Sequence, residues 1–157
     1  MHPNADLIQR FYVAFRRRDW ATMNSYYHPQ VHFTDPVFDL TGPQASLMWR
    51  MLCTNGRDLV LEFNDVAADD LDGQAHWEAR YTFSAAGNKV HNVVASSFEF
   101  RDGLIVRHVD RFSFWRWSRQ ALGVPGWLLG WSGSLQRKVQ TQAAKNLALF
   151  ERQVERR

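Results

Sequence analysis

The spacing of apolar residues changes near residue 58, and that change does most to limit the fold of this chain. Up to about residue 55, apolar side chains recur at three and four positions. Leu7, Ile8, Phe11, Tyr12 and Phe15 form one stripe, with Gln9, Arg10, Arg16 and Arg17 off it. From Asp58 onward they recur at two: Leu59, Leu61 and Phe63 alternate with Val60, Glu62 and Asn64, and Trp77, Ala79, Tyr81 and Phe83 with His76, Glu78, Arg80 and Thr82. The turn signals "AAGNK" before Val90 and "RDG" at Arg101 to Gly103 join the later strands as hairpins. Helices followed by a hairpin-linked run of strands specify an α+β domain, with the helices on one face of an antiparallel sheet.

Local signals set the expected boundaries. Asn4 is the expected N-cap of the first helix, with Asp6 favourable at the positive end of the dipole. Asp19 caps a second helix carrying Trp20, Met23, Tyr26 and Tyr27, which should stop near His28 because Pro29 disfavours helical backbone before it. A strand from Val31 to Asp39 follows, then a third helix from Gly42-Pro43 to Asn55-Gly56 bearing Leu47, Met48, Met51 and Leu52. The last strand is expected from Leu104 to Trp115. Beyond it "SRQALGVPGWLLGWSG" predicts short helical turns, and Val139, Ala143, Leu147, Phe150 and Val154 mark a final helix over about Leu135 to Val154. Two parts are therefore expected, a domain over 1–117 and a helical extension over 118–157 packed on it.

A chain of 157 residues is long enough for one real core. Seven Trp and eleven Phe imply large aromatic walls or an apolar cavity. The lone Cys53 permits no intrachain disulfide, which fits a reducing, cytoplasmic setting, and no signal peptide is read at the N-terminus. No apolar run approaches the length of a membrane span. The net charge of +3 comes from scattered basic residues, so a nucleic-acid partner is not expected.

Two strands place a carboxylate among apolar residues. Val31, Phe33, Asp35 and Val37 share one face of the first; Leu104, Val106, His108, Asp110, Phe112 and Phe114 share one face of the last, with Ile105, Arg107, Val109 and Arg111 opposite. Removing a carboxylate from water costs several kcal/mol unless it is paired, protonated or wetted. A cleft between helices and sheet would let Asp35 and Asp110 point inward. For Asp35 the plainer alternative is a turn-entry Asp before Pro36 that binds local N–H groups, and for His108 a structural partner of Asp110.

The second helix running from Asp19 to Tyr26, "FTDP" at Phe33 to Pro36, and "FRDGLIVRHVD" at Phe100 to Asp110 occur in an order that resembles the nuclear-transport-factor-2-like superfamily, and in particular its SnoaL-like branch. The resemblance covers about residues 4–118 and implies a cone-shaped fold around a pocket. It also implies pairing into homodimers through the outer face of the sheet, and no cofactor. In ketosteroid isomerases of this fold the general base matches Asp35, but their oxyanion Tyr falls on Phe11, beside Tyr12, and their oxyanion Asp near Ser96, so that reaction is not expected. In SnoaL-like polyketide cyclases the acid/base Asp matches Asp110, with His108 placed to donate to a carbonyl oxygen. Epoxide hydrolases of the fold need Asp–Arg–Asp, and Arg80, Arg107 and Arg111 all fall on outer faces. The resemblance therefore implies an apolar carbonyl compound as ligand and cyclisation, isomerisation or dehydration as chemistry, with a non-catalytic binding module or an interaction scaffold as alternatives.

Tyr12, Tyr27, Trp49, Trp77, Tyr81 and Phe112 are candidates to line the pocket, and Asn92 and Ser96 to supply hydrogen bonds there. The histidines have no metal-ligand spacing, so no metal is expected, and Cys53 reads as a small core residue. For the Trp-rich tail, a lid or dimer packing is favoured over a membrane contact, because exposed apolar area on this scale is normally covered.

Overall fold

Helix α1 (Pro3–Arg16) begins the fold in the computed structural model, which describes residues 1–156. Its cap is His2 rather than Asn4. The His2 ring accepts the Asn4 N–H at 3.0 Å, and Pro3 occupies the first helical position, where a missing N–H costs nothing. Asn4 lies inside the helix, and its side-chain amide donates to the Asp69 carbonyl at 3.0 Å. Asp19 caps α2 (Trp20–Ser25) as expected, accepting from the Thr22 N–H. The helix stops short of His28: Tyr26 is its C-cap, and β1 (Tyr27–Thr34) begins directly after it, where Tyr27 pairs with Ile105. The short strand β2 (Asp39–Thr41) and α3 (Pro43–Asn55) complete the first half.

The second half consists of β3 (Val60–Ala68), β4 (Asp72–Phe83), β5 (Asn88–Arg101) and β6 (Leu104–Arg111). The six strands run in the order β2-β1-β6-β5-β4-β3. All neighbours are antiparallel except β1 and β6, which are parallel. The expected all-antiparallel sheet is corrected at that one seam, which a reading of local turns cannot detect. The "RDG" turn forms as expected: Asp102 and Gly103 have φ of 56° and 72°, the pair of positive values that a two-residue hairpin requires.

Three further expectations are corrected. Asp35 lies just past the end of β1, in the turn before β2. Strand β6 ends at Arg111 rather than Trp115, since the Ser113 hydroxyl accepts the Arg116 N–H and starts α4 (Phe114–Leu122). Ile105 is buried rather than outward-facing, because Val106 stands unopposed between the pairs Phe100–Ile105 and Glu99–Arg107. That bulge resets the alternation, so that Ile105, His108 and Asp110 all point to the core.

Ile8, Phe11, Tyr12 and Phe15 of α1 and Met48 and Trp49 of α3 pack on Phe33, Leu61, Trp77, Val94 and Phe98 of the sheet. Aromatic rings thus fill the closed end of the cone, each buried ring stabilising by about 2–3 kcal/mol. Beyond α4, α5 (Val124–Leu129) leads to α6 (Gly133–Glu155), which begins two residues earlier than its apolar stripe suggests. A second cluster, Val90, Phe114, Trp117 and Ala121, joins this extension to the open end of the cone. No helix among the described residues is long and apolar enough to cross a membrane.

Candidate functional site

Strand β6 carries the centre of the site because the bulge at Val106 turns both His108 and Asp110 inward; they are 0% and 3% exposed. Two residues apart on one strand, they share a face, and His108 Nε2 lies 2.8 Å from Asp110 Oδ1. On the other side of the imidazole, Nδ1 lies 2.8 Å from the Tyr27 hydroxyl, which accepts the Trp49 indole N–H at 2.7 Å. The donor count fixes the direction of this chain. An indole only donates, so Trp49 gives to Tyr27, which leaves the one Tyr27 proton for Nδ1 and, in that tautomer, Nε2–H for Asp110.

A second relay reaches the same oxygen from the neighbouring strand. Ser96, paired with Asp110 across β5 and β6, donates its hydroxyl to Asp110 Oδ1 at 2.5 Å. The Ser96 oxygen in turn accepts from the Tyr12 hydroxyl at 2.8 Å and the Trp77 indole at 2.9 Å. Six donors are therefore arranged in two branches that end on one carboxylate oxygen. No described donor is directed at the other oxygen, Oδ2. Burial beside the Asp110 carboxylate pushes the Tyr12 hydroxyl well above its ordinary pKa. Burial does the same to Tyr27, with Asp110 and Asp35 adding to it. Both phenols stay protonated donors.

The imidazole is walled by rings: Phe98 at 4.4 Å between centroids, Phe33 edge-on at 5.0 Å, and Trp49 stacked at 6.0 Å. With both nitrogens engaged and no exposed surface, His108 has no free donor for a ligand.

Asp35 adopts the turn geometry. Its Oδ1 accepts the N–H groups of Val37 at 2.7 Å and Phe38 at 2.6 Å, and its own N–H donates to the Phe38 carbonyl at 2.9 Å. Burial nevertheless raises its pKa to about 7, against those two hydrogen bonds, and the Asp110 charge adds to the rise. Asp35 thus repeats the arrangement of Asp110, with one oxygen pinned and Oδ2 without a described donor, and the two carboxyl groups sense each other.

Tyr81 and Phe112 sit where the two apolar clusters meet. The Tyr81 hydroxyl accepts the Trp117 indole N–H at 2.9 Å, and its pKa is raised by burial, with Asp35 contributing. Asn92 is half-buried and makes no side-chain hydrogen bond among the described residues. Trp117 is the site neighbour not anticipated from sequence. Phe114, Trp117, Ser118 and Ala121 lie at helical spacing after a Ser cap, a signal hidden by the strand-like alternation that leads into it.

The concavities on the outer face of the sheet are elsewhere. One of about 340 Å³ is lined by Gln74, Ser97, Glu99, Arg107 and Arg111 among others, and one of about 220 Å³ by Glu62, Asn64, His76 and Glu78 among others. Neither touches Asp35, His108 or Asp110. No group of three metal-ligating side chains occurs among the described residues. Cys53 is buried, and burial pushes its thiol up to about 12.

Helices packed on one face of a curved six-stranded sheet, with a carboxylate network buried between them, define a small α+β protein of the cone-shaped class. The SnoaL-like domain matches residues 8–108, and the chain belongs to that family. Among solved structures, a candidate polyketide cyclase from Xanthomonas campestris pv. campestris superposes with a TM-score of 0.63 at 21% identity, covering 75% of this chain and 96% of its own. An LEH-like epoxide hydrolase from M. tuberculosis gives 0.61 at 17% identity, covering 76% and 90%. TerC, co-crystallised with polyporic acid, gives 0.58 at 22% identity, covering 70% and 91%. No curated protein matches the chain.

Proposed function

We propose that this protein takes an apolar, carbonyl-containing small molecule at the upper end of the cone and moves a proton on it with Asp110. The observation that supports this most is the Asp110 carboxylate itself, with Oδ1 held by His108 and Ser96 and Oδ2 without a donor among the described residues. Such a carboxylate is oriented before substrate arrives, and in a water-poor site it is effective at removing a proton from carbon beside a carbonyl. His108 acts through Asp110 as a positioning residue.

Asp35 supplies the complementary role. A carboxyl group titrating near 7 is partly protonated at neutral pH and can donate to the developing enolate oxygen, and two carboxyl groups held in different environments divide acid and base work. Tyr81, whose oxygen accepts from Trp117, keeps its own O–H for the same oxygen. Isomerisation, cyclisation or dehydration beside a carbonyl fits these groups. Epoxide opening of the Asp–Arg–Asp kind does not, because Arg80, Arg107 and Arg111 are all exposed.

The site is closed above by α4, so a binding role without turnover uses the same groups and is the second reading. Native mass spectrometry with mild organic extraction, followed by thermal shifts against a carbonyl library, tests ligand binding. Asp110→Asn then separates the readings: loss of turnover by roughly 10²–10⁴-fold with binding retained supports catalysis. A variant that only weakens binding supports the second reading. A protein that binds nothing in the library sinks both.

A further inference from the structure

The C-terminal extension leaves a second feature that the interior site does not use. Phe114, Trp117, Ser118 and Ala121 of α4 face the cone, but the residues beyond them face solvent. Trp127 is 57% exposed, Leu128 66% and Trp131 76%, with Val124 and Leu129 exposed beside them. The protrusion is held in shape. A Cβ at Gly126 would come within 2.0 Å of the Ser118 carbonyl oxygen, so only glycine lets α5 lie this close on α4. Trp127 packs edge-on to Trp115 at 5.8 Å, and the Arg119 guanidinium sits over both rings at 4.4 and 4.8 Å.

Charge along this stretch of the chain has one sign. Residues 111–150 include Arg111, Arg116, Arg119, Arg137, Lys138 and Lys145 and no Asp or Glu at all, while the rest of the chain has more acidic than basic residues. Exposed Trp and Leu on a stretch whose only charged side chains are Arg and Lys match an anionic lipid surface, where indoles settle at the headgroup level and each nearby cation adds attraction.

We propose that the α4–α5 protrusion docks this protein on anionic lipid bilayers as a peripheral contact, with Trp127, Leu128 and Trp131 in the interface and Arg116, Arg119, Arg137 and Lys138 toward the headgroups. The docking is independent of the chemistry at Asp110. It also departs from the expectation that the tail would bury its apolar area: α4 does so, and α5 does not.

The test is co-flotation of the full chain with phosphatidylcholine vesicles, with and without phosphatidylglycerol, together with native mass spectrometry. Docking predicts flotation with the anionic vesicles and a blue shift of Trp emission. Trp127→Ser combined with Trp131→Ser should cut partitioning roughly tenfold or more, and Trp131→Ser alone, at a ring 76% exposed and outside the Trp115–Trp127–Arg119 stack, should cut it in part at an unchanged melting temperature. Arg137→Glu with Lys138→Glu should weaken binding to anionic vesicles by a comparable factor. Absence of flotation at low salt would overturn the proposal. So would flotation indifferent to the Trp substitutions, or a dimer that those substitutions dissolve, which would assign the patch to a second copy of this chain.

Discussion

At the scale of single residues, the interior of this protein is decided by two carboxyl groups and the donors around them. Asp35 has a folded-state pKa of about 7, above its ordinary value near 4. Between those values the folded chain binds more protons than the unfolded one, so stability falls as pH rises from about 4 to about 7 and levels off above. Asp35→Asn keeps an oxygen for the Val37 and Phe38 N–H groups but removes the charge. The variant should lose that slope and melt above the wild type at pH 8, by an amount worth on the order of 1–3 kcal/mol. Melting curves from pH 4 to 8 check it, and an unchanged slope would refute the assignment. Ser96 is the opposite case. Ser96→Ala takes the acceptor from Tyr12 and Trp77 together and should cost about 2–4 kcal/mol, read as a lower denaturant midpoint. A loss under about 0.5 kcal/mol would mean that the two donors find other partners. The alternation that put Asp35, His108 and Asp110 among apolar residues was visible in the sequence. Ser96 and Tyr27 were candidates for the pocket, but that they would hold Asp110 and His108 was not visible, because they reach those residues across contacts 14 and 81 residues apart.

At the scale of elements, local signals served where the physics is local and failed where pairing decides. The Asp19 cap, the Asp102-Gly103 turn and the period-two strands are set within a few residues, and they read directly. The early start of β1 is not local. Tyr27 is strand because Ile105 pairs with it and His108 waits for its hydroxyl, although the Pro29 rule alone allows the helix to run on. The Val106 bulge is likewise invisible to a count of twos, and it is what buries Ile105 while keeping His108 and Asp110 on the inner face. The run from Phe112 to Trp115 looks like more strand until the Ser113 cap is recognised. Helix α4 covers Tyr81, Phe83, Val90 and Phe112, so a chain ending before Ser118 would expose them and lose half of the helix that shields them. The expected result is aggregation or a clearly lowered melting temperature, followed by size-exclusion chromatography and thermal denaturation. A soluble truncated protein of unchanged stability would show that the extension is not part of the packed domain.

At the scale of the whole molecule, the extension is both the cover of the interior site and the element least secured to it. Its attachment rests on the Phe114–Trp117 cluster and a few polar links. The Gln136 and Gln140 amides each donate to the Pro36 carbonyl at 3.0 Å, and the Gln44 amide donates to Glu151 at 2.8 Å. Along α6 only Leu147 is fully buried, whereas β4 and β5 pair over twelve successive residues and carry Trp77, Ala79, Val94 and Phe98 into the core. Elements with little buried apolar surface open at lower free energy than the core they cover. The links at Pro36 matter twice, since that residue follows Asp35 directly and any lifting of α6 frees the turn that holds the carboxyl group. On the proposed function, ligand entry to Asp110 requires the extension to open without unfolding the sheet. Hydrogen exchange followed by mass spectrometry should show the amides of α4 to α6 exchanging well before those of β4 and β5. Added ligand should slow the exchange of α4 and of the Asp35 turn together. Exchange of the extension and the sheet at one common rate would mean that the cone opens only by global unfolding, and a rigidly sealed interior could not serve as the binding site proposed for it.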